Sequence, residues 1–113
     1  MSPKIEKPED WFSIVLPETV ATNPEKIGGF EGTMLFNISG EAGGQWLVTF
    51  APGKAEVRRG SDPTAAFSVV MKDEHFVKMM NGELAGPTAF MTGKLKFKGP
   101  VMQAMKLRGL LFS

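Results

Sequence analysis

Two stretches near the middle of the chain alternate apolar and polar residues, and this alternation restricts the possible folds more than any other feature. A period of two is typical of a strand that buries one face. The glycine-rich "GEAGG" between the two stretches favours a hairpin. The pattern therefore predicts an antiparallel pair of strands that another layer must cover. Its apolar face consists of Met34, Phe36 and Ile38 in "TMLFNIS" and of Trp46, Val48 and Phe50 in "QWLVTFA".

Three further short strands are predicted. "KAEVRR", with Ala55 and Val57 inward, follows the turn "APGK", and "AAFSVVM" follows the turn "GSDPT". Four successive strands with tight connections indicate an antiparallel meander. The fifth strand, "KLKFK", puts Leu95 and Phe97 on one side and three lysines on the other. Because it follows a helical segment, it can join an edge of the meander or insert beside the first strand.

A broken helix is predicted before the strands, from Glu9 to Ile27. Its first part ends at Leu16, because Pro17 disfavours the helical conformation in the residue before it. The apolar face of this first part consists of Trp11, Ile14 and Val15.

Three more helices are predicted in the second half of the chain. Asp73 is the N-cap of "EHFVKMMN", which Gly82 terminates. Pro87 begins "TAFMT", which ends at Gly93, and Pro100 begins the last helix. The last helix has only a narrow polar stripe, so we expect it to be buried on more than one side. Its apolar residues are Val101, Met102, Met105, Leu107, Leu110 and Leu111.

These elements make up one α+β domain over residues 1–113, with helices on one face of the sheet and a loose start over residues 1–8. The chain has 42% hydrophobic residues and a net charge of +1, as in ordinary globular domains. It has no cysteine, no apolar signal at its start and no stretch of roughly 18 apolar residues. A cytoplasmic location is therefore expected.

Residues for catalysis are scarce. The single histidine, His75, lies beside Glu74 in the first turn of a predicted helix, where a solvated surface role is more common than a catalytic one. No serine lies in a nucleophile elbow, and the glycine clusters precede strands instead of opening helices. We therefore expect no enzymatic activity, no catalytic residue, no cofactor and no metal.

Basic residues and methionines are concentrated in the last third of the chain. The basic set could bind nucleic acid, but alternating lysines also protect a sheet edge, and this reading is favoured, so no nucleic-acid partner is expected. Six of the eight methionines lie between Met71 and Met105. Methionine fills irregular space, so these residues can belong to a core or to a binding cavity, and composition alone favours the core. The basic set is Lys94, Lys96, Lys98, Lys106 and Arg108.

The succession "KDEHFVKMMNGELAGP", "AFMTGKLKFKG" and "AMKLRGLL" resembles the sterol carrier protein 2 (SCP-2) family, and "NPEKIGG", "GTMLFNISGE" and "WLVTF" fit its upstream elements. This resemblance implies a five-stranded, mostly antiparallel sheet covered on one face by helices. It also implies an apolar tunnel for a fatty acid, acyl-CoA or sterol-like lipid, carried without chemical change. The implied ligand-binding residues are Phe76, Met80, Phe90, Met91, Leu95, Phe97, Met102 and Met105.

The polar positions depart from the family's pattern. Thr92 stands where many members have glutamine, Pro100 where they have asparagine or aspartate, and Lys26 near the first helix where several have arginines. Head-group preference is therefore left open. The expected partner is a lipid, with at most transient membrane contact, and a homodimer is left open. The alternative function is a protein-interaction or dimerisation module related to the SCP-2 domains of larger enzymes.

Overall fold

Five strands form one sheet in the computed structural model, which describes residues 4–62, 64–65 and 67–111. Their order across the sheet is β3-β2-β1-β4-β5, and every neighbouring pair is antiparallel except β1 and β4, which are parallel. The prediction of a five-stranded, mostly antiparallel sheet is thus confirmed. The strands are β1 Gly32–Ser39, β2 Gly44–Ala51, β3 Lys54–Arg59, β4 Phe67–Lys72 and β5 Leu95–Lys98.

The position of β4 corrects the predicted meander. Strands β1, β2 and β3 form one, but β4 crosses over and pairs with β1. The reason is burial. In β4, Phe67, Val69 and Met71 are buried, whereas the inward residues of β3, Ala55 and Val57, are only half-buried. The more apolar strand thus lies near the middle of the sheet, and β3 lies at one edge. Strand β5 pairs with β4 at the other edge, and Pro63 of the predicted turn "GSDPT" lies outside the described residues.

Helical segments cover the face of the sheet that carries Met34, Phe36 and Ile38, all of which are buried as predicted. The prediction of helices on one face is confirmed. The segments are α1 Pro8–Asp10, a π-helical turn Trp11–Val15, α2 Leu16–Thr22, a 3₁₀ turn Pro24–Ile27, α3 Asp73–Met80, α4 Gly86–Met91, α5 Val101–Ala104, a 3₁₀ turn Met105–Leu107 and α6 Arg108–Leu111.

The first helix continues through Pro17, so the predicted end at Leu16 is wrong. Leu16 is helical, with φ −61° and ψ −52°, and its N–H donates to the carbonyl of Trp11, five residues back. A proline ring clashes with the carbonyl four residues before it in a regular helix, and the wider π turn accommodates the ring. This spacing also changes which residues face the core. Phe12 is 1% exposed, whereas Ile14 is 54% exposed, so its predicted place on the apolar face is also wrong.

The start of the chain is anchored from residue 5. The N–H of Ile5 donates to Oδ1 of Asn81 at 2.8 Å, and Nδ2 of Asn81 donates to the carbonyl of Ile5 at 2.9 Å. Ile5 is buried, as is Pro8. The predicted loose start over residues 1–8 therefore does not describe residues 5–8, and its first three residues lie outside the described part of the chain.

Helix α3 begins one residue earlier than predicted, because Lys72 is the N-cap and Asp73 is the first helical residue. The Asp73 carboxylate accepts hydrogen bonds from the N–H of Glu74 at 2.8 Å and from that of Ala42 at 3.0 Å. Ala42 lies in the hairpin between β1 and β2. Asp73 therefore joins the start of α3 to this hairpin, a contact between residues 31 positions apart.

Candidate functional site

The candidate site is the β5 edge, a name used here for residues 90–106, which comprise the end of α4, strand β5, α5 and most of the following 3₁₀ turn. Helix α4 packs against both β5 and α3. Its end is a Schellman motif, in which the N–H of Lys94 donates to the carbonyl of Ala89 at 2.9 Å and that of Gly93 donates to Phe90 at 3.3 Å. Gly93 has φ 77°, the left-handed conformation that this motif requires. The motif sets the direction in which the chain leaves α4 for β5.

Helix α3 ends in the same way. The N–H of Glu83 donates to the carbonyl of Lys78 at 2.8 Å, and that of Gly82 donates to Met79 at 3.2 Å. Gly82 and Gly93 were both predicted as helix terminators, and both predictions are confirmed. The two glycine caps position the last turns of α3 and α4, which carry Met80 and Phe90, two of the predicted ligand-binding residues.

The eight predicted ligand-binding residues fall into two groups of four. Four belong to the core or pack against it: Phe76 and Leu95 are buried, and Met80 and Phe97 are half-buried. Four lie on the surface, with exposed fractions of 52% for Phe90, 85% for Met91, 82% for Met102 and 42% for Met105. Their role as ligand contacts stays a prediction.

The exposed methionines overturn one expectation about the last helix, which was predicted to be buried on more than one side. Leu107 and Leu110 are buried, but Met102 and Met105 are not. The segment is not one regular helix, because a 3₁₀ turn separates α5 from α6 and changes the spacing of the side chains. A pattern calculated for an unbroken helix therefore assigns Met102 and Met105 to a buried face that does not exist.

An aromatic cluster fills the space between the first helix and the sheet. The Phe12 ring stacks on Trp46, with centroids 4.6 Å apart, and on Phe76 at 5.5 Å. Trp11 and Phe36 pack edge-on against Phe12 at 5.0 and 5.1 Å. Phe76 is therefore held on several sides by other rings. Sequence reasoning missed Phe12, although two adjacent aromatic residues in "WF" could have indicated that both faces of this turn are covered.

A second group of rings leads from the core to β5. Phe30 packs against Phe50 at 5.6 Å and against Phe67 at 4.9 Å, and Phe67 lies 6.3 Å from Phe97. Phe97 is half-buried on the strand at the edge of the sheet. Phe97 is thus the residue of this group that lies in the β5 edge.

The polar side chains at the β5 edge are the Thr92 hydroxyl, the Gln103 amide and four lysines. The Thr92 hydroxyl donates to the carbonyl of Thr88 at 2.8 Å, so its proton is already committed to α4. Lys94, Lys96 and Lys98 are exposed. Any charge interaction with a bound molecule would therefore take place close to water, where ion pairs are weak.

The single histidine and the carboxylates of the described residues do not form a metal site. His75 is partly exposed, and its Nε2 lies 3.8 Å from Oε1 of Glu74, which is itself on the surface. Among the described residues, no three or more histidine, aspartate or glutamate side chains come together in a way that could hold a metal ion. No helix in residues 4–62, 64–65 and 67–111 combines the length and the apolar character that a membrane span requires.

Comparison with known proteins identifies relatives along most of the chain. The model of the SCP-2 sterol transfer family matches residues 15–112. A hydroxysteroid dehydrogenase-like protein 2 from Xenopus tropicalis is 38% identical over 90 residues, which are 79% of this chain but 22% of the relative. Sterol carrier protein 2 from Gallus gallus is 37% identical over 89 residues, 76% of this chain and 16% of the relative. The chain thus spans about a fifth of the length of these curated relatives.

A solved structure agrees with this assignment. The sterol carrier protein domain 2 of Helicoverpa armigera superposes with a TM-score of 0.74 at 28% identity, over 96% of this chain and 92% of that chain. The family match covers the two glycine caps, the β5 edge and the strands beneath them. The resemblance read from "AFMTGKLKFKG" is confirmed, and the chain belongs to the SCP-2 sterol transfer family.

Proposed function

We propose that this domain binds a lipid, namely a fatty acid, an acyl-CoA or a sterol-like molecule, between its sheet and its helices near β5. The domain carries the lipid without changing it chemically. The main support for this proposal is that the chain belongs to the SCP-2 sterol transfer family over residues 15–112. The name of the relative from Gallus gallus, sterol carrier protein 2, supports the sterol-like ligand among these three.

The distribution of burial supports a ligand position near Met80 and Phe97. Both side chains pack against the core yet keep some exposure, so an apolar chain could cover them without displacing a ring from the aromatic cluster. Phe76 and Leu95 would then form the buried wall of the site. The exposed residues Phe90, Met91, Met102 and Met105 would lie at its opening. Methionine adapts to ligands of different shape, which suits a carrier of several lipids.

Burial of an apolar chain is enough for weak binding, with a Kd of about tens of micromolar. Burying about a dozen methylenes at about 0.8 kcal/mol each yields roughly 10 kcal/mol, from which an association cost of roughly 4 to 15 kcal/mol must be subtracted. The most favourable balance is about 6 kcal/mol net, which corresponds to a Kd of tens of micromolar, whereas a Kd of about 1 μM needs about 8 kcal/mol. Because the nearby lysines are exposed, we expect the head group to contribute little and the apolar chain to set the affinity.

The direct test is a titration of delipidated protein with a fluorescent long-chain fatty acid, followed by competition with unlabelled fatty acid, acyl-CoA and sterol. We expect saturable binding at one site and competition by at least one of these lipids. Absence of binding by a protein with intact circular dichroism would refute the proposal.

A pair of tryptophan variants tests the position of the ligand. Met80→Trp adds bulk to a half-buried position beside the proposed site and should weaken fatty-acid binding at least tenfold if the added ring occupies the place of the ligand. Val57→Trp adds bulk to a half-buried position on β3, at the opposite edge of the sheet, and should bind as the unmodified protein does. Equal loss in both variants would mean that the effect is on the fold. Unchanged binding by folded Met80→Trp would exclude this location.

The length of the relatives supports a second candidate, an interaction module. The chain corresponds to about a fifth of the hydroxysteroid dehydrogenase-like protein from Xenopus tropicalis. A domain in such a setting could serve partner contact or dimerisation. Sedimentation equilibrium distinguishes the two candidates, because a module of this kind would form a concentration-dependent dimer whose dissociation constant is insensitive to added lipid.

A further inference from the structure

Charge is distributed unevenly along this chain. The last thirty residues, from Leu84 onward, contain five basic residues and no aspartate or glutamate. The first 83 residues contain eight basic and twelve acidic residues. The small net charge of +1 therefore conceals a segment of +5 that follows a segment of −4. Such asymmetry indicates a surface that meets an anionic partner.

Exposed apolar residues are concentrated in the same segment. Among the described residues, five large hydrophobic side chains are exposed, and four of them belong to the β5 edge: Phe90, Met91, Met102 and Met105. The fifth is Ile14. Met91 and Met102, with 85% and 82% exposure, are the most exposed of the five. Apolar residues gathered in this way commonly mark an interaction site.

The fold brings the basic and the apolar residues to one edge of the sheet. Strand β5 is the last strand on its side, and its four residues span about 13 Å. Phe90 and Met91 precede the strand by a few residues, and Met102 and Met105 follow it by a few. Lys96 and Lys98 alternate with the inward residues of β5 and are exposed. Exposed apolar residues thus flank both ends of a cationic edge strand.

This combination favours a lipid surface over the other polyanions. Protection of a sheet edge explains Lys96 and Lys98, but it gives no reason to expose Met91 and Met102. Single-stranded nucleic acids stack on aromatic side chains, and Phe90 is the one aromatic residue among the four exposed apolar ones. Anionic bilayers attract lysines electrostatically and accept apolar side chains into the boundary between head groups and acyl chains.

We propose that the β5 edge docks on the surface of an anionic phospholipid bilayer, with Met91 and Met102 entering the interface and Lys96 and Lys98 facing the lipid phosphates. This inference rests on the proposed function, because a lipid carrier must contact the membrane that supplies or receives its lipid. The contact itself is measured without any free lipid ligand, so the two proposals can fail separately.

Flotation with vesicles tests the docking. The unmodified protein should float with vesicles of phosphatidylcholine and phosphatidylglycerol at about 0.1 M salt, where charges about 19 Å away are largely screened, and should bind weakly to pure phosphatidylcholine or at about 1 M salt. Lys96→Gln/Lys98→Gln should lower the partition coefficient roughly thirtyfold, from roughly fivefold per lysine near an anionic surface. The control Lys54→Gln/Arg58→Gln removes the same charge from β3, about 19 Å away across four strand spacings, and should bind within about threefold of the unmodified protein.

A second measurement reports insertion of the apolar residues. Because the chain has no cysteine, single cysteines can be labelled with an environment-sensitive fluorophore. A label on Met102→Cys should shift to shorter wavelength and gain intensity with anionic vesicles. A label on Glu56→Cys, exposed on β3, should not change. In addition, Met91→Ser/Met102→Ser should reduce flotation about tenfold or more, because both side chains would lose their burial in the interface.

The outcomes separate docking from carriage. Flotation without fatty-acid binding would support docking and contradict the carrier. Fatty-acid binding without flotation would overturn docking and leave the carrier intact. Equal loss of flotation in the β5 and β3 lysine variants would overturn docking at this edge. Retention on heparin or single-stranded DNA with no affinity for vesicles would also overturn it, and would assign the surface to another polyanion.

Discussion

Substitution of Phe12 should be among the most destabilising changes in the domain, although no sequence pattern singles this residue out. Phe12 is 1% exposed. Its ring contacts four other aromatic rings, with centroid distances between 4.6 and 5.5 Å. Truncating a buried phenylalanine to alanine costs about 3 to 5 kcal/mol. Aromatic pairs add about 0.5 to 1.5 kcal/mol each beyond their buried area, so we expect Phe12→Ala to lie at or above the upper end.

The matched control lies two residues away in the same π-helical turn. Ile14 is 54% exposed, and surface substitutions usually change stability by less than about 0.5 kcal/mol. Ile14→Ala should therefore be neutral or slightly stabilising, because alanine has the higher helix propensity. A regular helix predicts the reverse ranking, with Ile14 on the face of Trp11 and Val15. The pair of variants thus tests the π turn itself.

Urea unfolding followed by tryptophan fluorescence and circular dichroism measures both variants, since Trp11 and Trp46 belong to the cluster. Domains of this size are stable by about 5 to 15 kcal/mol, so Phe12→Ala could unfold a marginal domain. Phe12→Leu keeps most of the volume and should cost about 1 to 2 kcal/mol, which remains measurable. If Ile14→Ala lowers the free energy of unfolding more than Phe12→Leu does, the reasoning is refuted.

Three other perturbations have calculable outcomes. Asn81→Ala removes two hydrogen bonds to the backbone of Ile5 and should lower the free energy of unfolding in urea by about 1 to 3 kcal/mol. The amide of Ile5 should also exchange faster with solvent, and unchanged exchange would contradict the anchoring. Gly93→Ala places a Cβ on a residue with φ 77°, and no atom lies within 4 Å of that Cβ, so backbone strain alone should lower the free energy of unfolding by about 1 to 2 kcal/mol. The control Gly109→Ala, in α6, should leave stability unchanged or raise it. A fatty acid at about a hundred times its Kd should add about 2.7 kcal/mol of stability and raise Tm, as scanning calorimetry would detect; no shift with any lipid would count against the carrier.

Several features of the domain could be read from the sequence because they depend on neighbours along the chain. Burial of Met34, Phe36 and Ile38 follows from an alternation that Leu35 alone interrupts in this strand. The ends of α3 and α4 follow from Gly82 and Gly93, which adopt a left-handed conformation that other residues avoid. The motif "AFMTGKLKFKG" also sufficed to indicate the family that the comparison then identified.

The candidate site was less accessible to such reasoning. The resemblance to the SCP-2 family selected the apolar residues of the matching elements for the ligand site. It could not separate Phe76 and Leu95, which are buried, from Met91 and Met102, which are exposed. Spacing in the last segment assumed one helix, and the intervening 3₁₀ turn changes that spacing. The segregation of charge was visible in the sequence, yet its meaning depends on the exposed apolar residues that the fold brings beside it.

What the sequence determined by itself is therefore local: the strand periods, the glycine caps and the family motif. The tertiary structure decided the parallel pairing of β4 with β1, the inward position of Phe12, the bond between Asn81 and Ile5 across 76 positions, and the exposure of Met102. Each of these depends on competition between surfaces that are distant in the chain. The most apolar strands and rings occupy the limited space beneath the helices, and the remaining apolar residues are left at the surface.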